Sequence, residues 1–136
     1  MLLALAERGD TVLLPDPYYP DYPSGVALAG ATLGYVELDA QRGYAPRFDR
    51  APRERVAAVF LNYPSNPTAA AVPDGAFEAA VAYARATGAA IVHDFAYGDL
   101  VFDGRSPRSF LAEPGARDVG VEIGRASCRE RVFITV

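Results

Sequence analysis

With 136 residues and 14.5 kDa the chain is the size of one ordinary domain, and 51% hydrophobic against 22% charged residues is a globular composition able to bury a core. A net charge of -4 and a pI near 4.9 give no broad positive field, which argues against nucleic acid or an anionic membrane as partner. One cysteine excludes a disulfide framework and a multi-cysteine metal site, no apolar run is long enough for a membrane helix, and a cytoplasmic location is expected.

Met1 to Gly9 reads as the last turns of a helix stopped by glycine. Thr11 to Leu14 is a short apolar run cut off by Pro15, as in a buried strand. Tyr18 to Leu28 reads as a loop feeding a helix that Gly30 closes. Thr32 to Leu38 is a second strand, Asp39 to Arg55 a polar connection, and Val56 to Leu61 a third strand.

From Pro73 the pattern changes. Phe77, Ala80, Val81 and Ala84 recur at helical spacing, Pro73-Asp74 predicts a helix start and Gly88 a stop. Ala89 to His93 is a fourth strand. Apolar runs without in/out alternation, interleaved with helices, predict an α/β fold with a parallel sheet covered on both faces.

The stretch from Glu122 to Val136 breaks with what precedes it. The run Glu122-Ile-Gly-Arg-Ala-Ser-Cys-Arg-Glu-Arg-Val132 resembles the translation of a sequencing-library adapter, so residues 122–136 are expected to be foreign and residues 1–121 to form the domain.

In open α/β sheets ligands lie beyond the carboxyl ends of the strands. Those positions here are polar and aromatic: Pro15-Asp-Pro-Tyr-Tyr-Pro-Asp-Tyr22, Asn62-Tyr-Pro-Ser-Asn-Pro-Thr68 and His93-Asp-Phe-Ala-Tyr97. Asp94, at the mouth of a buried strand, is either a helix N-cap or the partner of a cation. Tyr97 would lie close to it if a helix begins there, and is either a packed aromatic or a hydroxyl for the same ligand. Asn66 offers an amide donor and acceptor on a loop stiffened by Pro64 and Pro67. Tyr18 and Tyr19 either pack or present a flat face to an aromatic ligand. His93, turned away from Asp94 by strand alternation, is expected to pack.

These three strings, in this order and spacing, resemble the large domain of fold-type-I, pyridoxal-phosphate-dependent aminotransferases of class I/II. The similarity runs from Leu3 to Val121 and is nearest the group that includes LL-diaminopimelate aminotransferases. It implies a partial three-layer αβα sandwich with a mainly parallel sheet, and pyridoxal 5'-phosphate as cofactor. It further implies that Asp94 pairs with the pyridine nitrogen, that Asn66 and Tyr97 hydrogen-bond the phenolic oxygen, and that Tyr19 stacks on the ring. By the same resemblance the Asn66-Pro67 bond is a candidate cis peptide, the substrates are an amino acid and a 2-oxo acid, and the parent protein is a homodimer.

Two departures stand out. The family has glycine after Asn-Pro-Thr where this chain has Ala69, which would strain the loop if the position needs a positive φ. All thirteen basic side chains are arginine, so the family's Schiff-base lysine, expected just beyond Val121, is absent and the chain as written is expected to be inactive. Three alternatives remain: a lyase of the same fold, a non-catalytic holder of cofactor or partner, and a nucleotide-binding or flavodoxin-like module. The last lacks both G-x-G-x-x-G and G-x-x-x-x-G-K.

Overall fold

The computed structural model describes residues 1–100, 102, 104 and 106–124. Among them a six-stranded sheet forms from β1 (Thr11–Asp16), β2 (Thr32–Asp39), β3 (Ala45–Pro46), β4 (Val56–Asn62), β5 (Ala90–Asp94) and β6 (Gly120–Ile123), in the order β3-β2-β1-β4-β5-β6. All neighbouring pairs are parallel except β2 with β3. The helices are α1 (Leu2–Leu5), α2 (Tyr22–Leu28) and α3 (Ala76–Thr87).

The central strands lack alternation because both of their faces are covered. Leu13, Val59, Leu61 and Ile91 point to one side and pack with Phe77, Ala80 and Ala84 of α3 and with Phe110. Val12, Leu14, Ala58, Phe60 and Val92 point to the other, against Leu2 of α1 and Val26 of α2. The α/β sandwich expected from the sequence is therefore present.

α3 buries Phe77, Ala80, Val81 and Ala84 as the spacing predicts, and Gly88 ends it at φ +77, its N–H bonded to the Ala84 carbonyl. It starts later than Pro73-Asp74 suggested, at Ala76, with Gly75 as the preceding cap residue. Two strands were not anticipated. β3 is two residues long and lies in the stretch read as connection. β6 crosses the boundary drawn at Val121, and Glu122 joins the sheet opposite His93. Residues 125–136 of the segment expected to be foreign lie outside the described residues.

Gly120 lets β6 approach β5. A Cβ there would stand 2.6 Å from the Ile91 carbonyl oxygen and 2.6 Å from the Phe110 ring. No helix among the described residues is long and apolar enough to cross a membrane.

Candidate functional site

β1 has β2 on one side and β4 on the other, so the chain reverses its direction of winding there. Connections leave to opposite faces and a crevice opens at the carboxyl ends. Parallel register aligns the ends of the next strands, Asn62 opposite Asp94 and Asp94 opposite Ile123. The crevice has a volume of about 200 Å³ and its lining includes Tyr19, Asn62, Asn66, Asp94 and Tyr97. The four candidate residues named from the sequence thus line one cavity.

Asp94 is half-buried at the end of β5. Its Oδ2 accepts a 2.6 Å hydrogen bond from the Tyr22 hydroxyl, and its Oδ1 accepts the Ala96 N–H at 3.1 Å. The chain turns after Phe95 instead of starting a helix, with Gly98 N–H on the Phe95 carbonyl and Leu100 N–H on that of Tyr97. Asp94 therefore closes a side-chain turn and caps no helix. Tyr97 reaches the crevice on this turn. Burial, followed by the hydrogen bond to Asp94 and its charge, pushes the Tyr22 phenol far above its usual range. It stays a neutral donor, locked on the carboxylate.

On the β4 side, Asn62 is buried and organises the loop. Its Oδ1 accepts the Asn66 N–H at 2.7 Å, while its Nδ2 donates to the Asp94 carbonyl at 3.1 Å and the Pro64 carbonyl at 3.4 Å. This latches the loop carrying Asn66 to the strand carrying Asp94. The Asn66 Nδ2 in turn lies 3.4 Å from the Tyr97 hydroxyl. The Asn66-Pro67 peptide is cis, as are Asp16-Pro17 and Tyr63-Pro64. Ala69 has φ +57, the left-handed conformation that its departure from glycine put in question.

Tyr18 and Tyr19 separate. Tyr18 stacks on Tyr35 with centroids 5.8 Å apart, while Tyr19 borders the crevice edge-on to Tyr22 at 5.5 Å. His93 is fully buried on the opposite face of β5, among Phe77, Phe95 and Phe110. Among the described residues no cluster of three or more His, Cys, Asp or Glu is arranged to hold a metal ion.

The sequence model for aminotransferase class I and II matches residues 1–121. The chain belongs to this family. Among its curated relatives, the L-glutamine--4-(methylsulfanyl)-2-oxobutanoate aminotransferase of Bacillus subtilis is 46% identical over 122 residues, 88% of this chain and 31% of the relative. An LL-diaminopimelate aminotransferase of Desulforudis audaxviator is 43% identical over 124 residues, 89% of this chain and 32% of the relative. The substrate-bound structure of BacF from Bacillus subtilis superposes with a TM-score of 0.86 at 36% identity, covering 93% of this chain and 33% of that one. The chain spans about a third of the length of these aminotransferases.

Two residues of the site escaped the sequence reading. Tyr22 stands in one of the quoted strings, and its signal was the three-residue step from Tyr19 into the first turn of α2. Asn62 was read only as the residue after a strand. A polar side chain ending an all-apolar run, opposite another such residue, was the cue.

Proposed function

We propose that the protein to which this chain belongs transfers an amino group between an amino acid and a 2-oxo acid, with pyridoxal 5'-phosphate held in the crevice by Tyr19, Asn66, Asp94 and Tyr97. The observation that carries this reading is the meeting of the Asp94 carboxylate with the Asn66 and Tyr97 donors in one cavity of a chain of this family.

The donor set suits a hydroxylated pyridinium ring. Each Asp94 oxygen accepts one hydrogen bond from Tyr22 or Ala96, and a carboxylate oxygen has room for a second, so a ring N–H finds an acceptor. The Asn66 amide and the Tyr97 hydroxyl supply two donors for one acceptor oxygen. Bound there, pyridoxal 5'-phosphate would supply an electron sink for the bond cleaved at the substrate α-carbon.

Asp94 would hold a proton on the ring nitrogen, because a carboxylate in a half-buried cleft favours a cation beside it. Tyr22 and the Ala96 N–H keep that carboxylate aimed. Asn66 and Tyr97 would fix the phenolic oxygen, and Tyr19 would cover the ring face. The sequence contains no lysine, so this chain supplies no side-chain amine. That absence favours one second reading, a holder of the cofactor without catalysis. The family resemblance also implies a homodimer with sites at the subunit boundary, and a cytoplasmic location is the expectation from the sequence.

Titration of pyridoxal 5'-phosphate into the purified chain, followed by absorbance, tests the ring pocket. Saturable binding is expected, weakened about tenfold or more by Asp94→Ala through loss of a charge-assisted hydrogen bond. No spectral change, together with a thermal shift on adding magnesium ATP, would favour the nucleotide-binding alternative.

A further inference from the structure

Behind the crevice, on the α3 face of β5, lies a polar cluster around a buried histidine. The His93 ring has 0% exposure. Its Nε2 is 2.9 Å from the Tyr63 carbonyl oxygen and its Nδ1 is 2.9 Å from the Glu122 Oε2. A carbonyl only accepts, so Nε2 carries a proton.

Glu122 Oε2 already accepts the Ser109 hydroxyl at 2.7 Å and the Phe110 N–H at 2.9 Å. The ring Nδ1 faces this same oxygen. The Phe110 N–H lies 3.4 Å from Nδ1, farther than from the carboxylate, and its single hydrogen goes to the nearer acceptor. Burial would raise Glu122, but the hydrogen bonds from His93 and Ser109, the His93 charge and the Phe110 N–H outweigh it and hold the carboxyl below its usual range.

The groups facing the ring from each neighbouring element are Glu122 on β6, Ser109 and Phe110 before and in the short 3-10 turn Phe110–Ala112, Tyr63 after β4, and Phe77 on α3. The Tyr63 hydroxyl is occupied elsewhere, donating to the Tyr44 carbonyl at 2.6 Å. Asp94 belongs to the other face of the strand and is held there by Tyr22.

We propose that His93 is a positioning residue: held by Glu122 at Nδ1, it grips the Tyr63 carbonyl through Nε2 and so fixes the Tyr63 to Asn66 loop against β5. Tyr63 is where that loop leaves β4. With the Asn62 latch on its other side, the loop is tied to β5 at two points, the His93 ring and the Asp94 carbonyl. The spacing between Asn66 and Asp94 is set by both. The inference rests on the reading of Asn66 as a cofactor-holding residue.

His93 is the single histidine of the sequence, so ¹⁵N-histidine labelling of the full chain gives ring signals that need no assignment. Without cofactor, Nε2 is expected to carry a proton, as its contact with the Tyr63 carbonyl requires. A bare Nε2 would overturn the grip on Tyr63.

Two substitutions then separate the two bonds. His93→Gln places an amide nitrogen near the Nε2 position and is expected to bind pyridoxal 5'-phosphate within about twofold of the wild type. His93→Asn keeps a donor only near Nδ1, toward Glu122, and is expected to bind about fivefold more weakly, the worth of one hydrogen bond. Equal affinities in the two variants would overturn the positioning role. Should His93→Asn fail to fold, a fivefold loss in His93→Gln overturns it alone. If the wild type does not bind pyridoxal 5'-phosphate at all, the proposed function fails, while the proton on Nε2, read without cofactor, still decides the grip on Tyr63.

Discussion

Ala69 shows how one side chain can be at odds with its backbone. At φ +57 its Cβ crowds the following carbonyl, a cost of about 1–2 kcal/mol that glycine avoids. Glycine also loses more freedom on folding, so Ala69→Gly is expected to gain no more than about 1 kcal/mol. A higher urea midpoint with unchanged slope checks this; a lower midpoint would show that the loop tolerates alanine without strain. At the same scale, Tyr22 and Tyr63 are both raised, Tyr63 by burial and Tyr22 by burial and by Asp94. A raised phenol stabilises the fold below the unfolded value of about 10, and that contribution is lost as pH rises further, because only the unfolded chain ionises. Tyr22→Phe should cost about 1–2 kcal/mol at neutral pH and flatten the loss of stability in alkali. Chemical denaturation at neutral and alkaline pH measures both, and an equally steep alkaline loss in the variant counts against the assignment. Glu122 has the opposite sign: held low in the fold, it stabilises above the ordinary carboxyl value of about 4.3, and this is lost as pH falls through its lower folded value. Acid unfolding of Glu122→Gln is therefore expected to depend less on pH than that of the wild type. Asp94, Asn66, Tyr97 and Tyr19 could be picked out in the sequence because each follows an apolar run. Tyr22 could not, because its meaning depends on a carboxylate 72 positions away.

Among elements, the strands covered on both faces were legible and the marginal ones were not. β1, β4 and β5 announce themselves as unbroken apolar runs. β6 is an outer strand whose four residues are only partly buried or exposed, and β3 has two residues, too few for any period. The late start of α3 has a local cause: Gly75, at φ +76, carries the chain into the helix from a left-handed conformation, leaving Pro73 and Asp74 outside. β6 also bears a sharp constraint at its first residue. Gly120→Ala would drive a methyl against the Ile91 carbonyl, a backbone atom that cannot swing away, and is expected to cost about 1–3 kcal/mol. Thermal unfolding would show it, and an unchanged midpoint would mean that β6 is free to shift outward.

At the scale of the molecule, the proposed ring pocket lies in a chain with no lysine, and together they predict a dissociation of binding from turnover. Supplied with pyridoxal 5'-phosphate, an amino acid and a 2-oxo acid, the 136-residue chain is expected to bind the first and transaminate neither of the others; detectable product would sink this. Fold class followed from the run of elements, but the reach of the site did not, since the crevice exists only where the order β2-β1-β4 brings distant segments side by side. The alternation of β5 has a last consequence. His93 and Asp94 are neighbours in sequence yet serve opposite faces, one gripping a loop from behind and the other facing the crevice. A single-codon insertion or deletion between Ala90 and Asp94 would exchange those faces, delivering an imidazole to the cavity and a carboxylate to the aromatic core. This strand can vary through replacement of its letters but not through a change in their number.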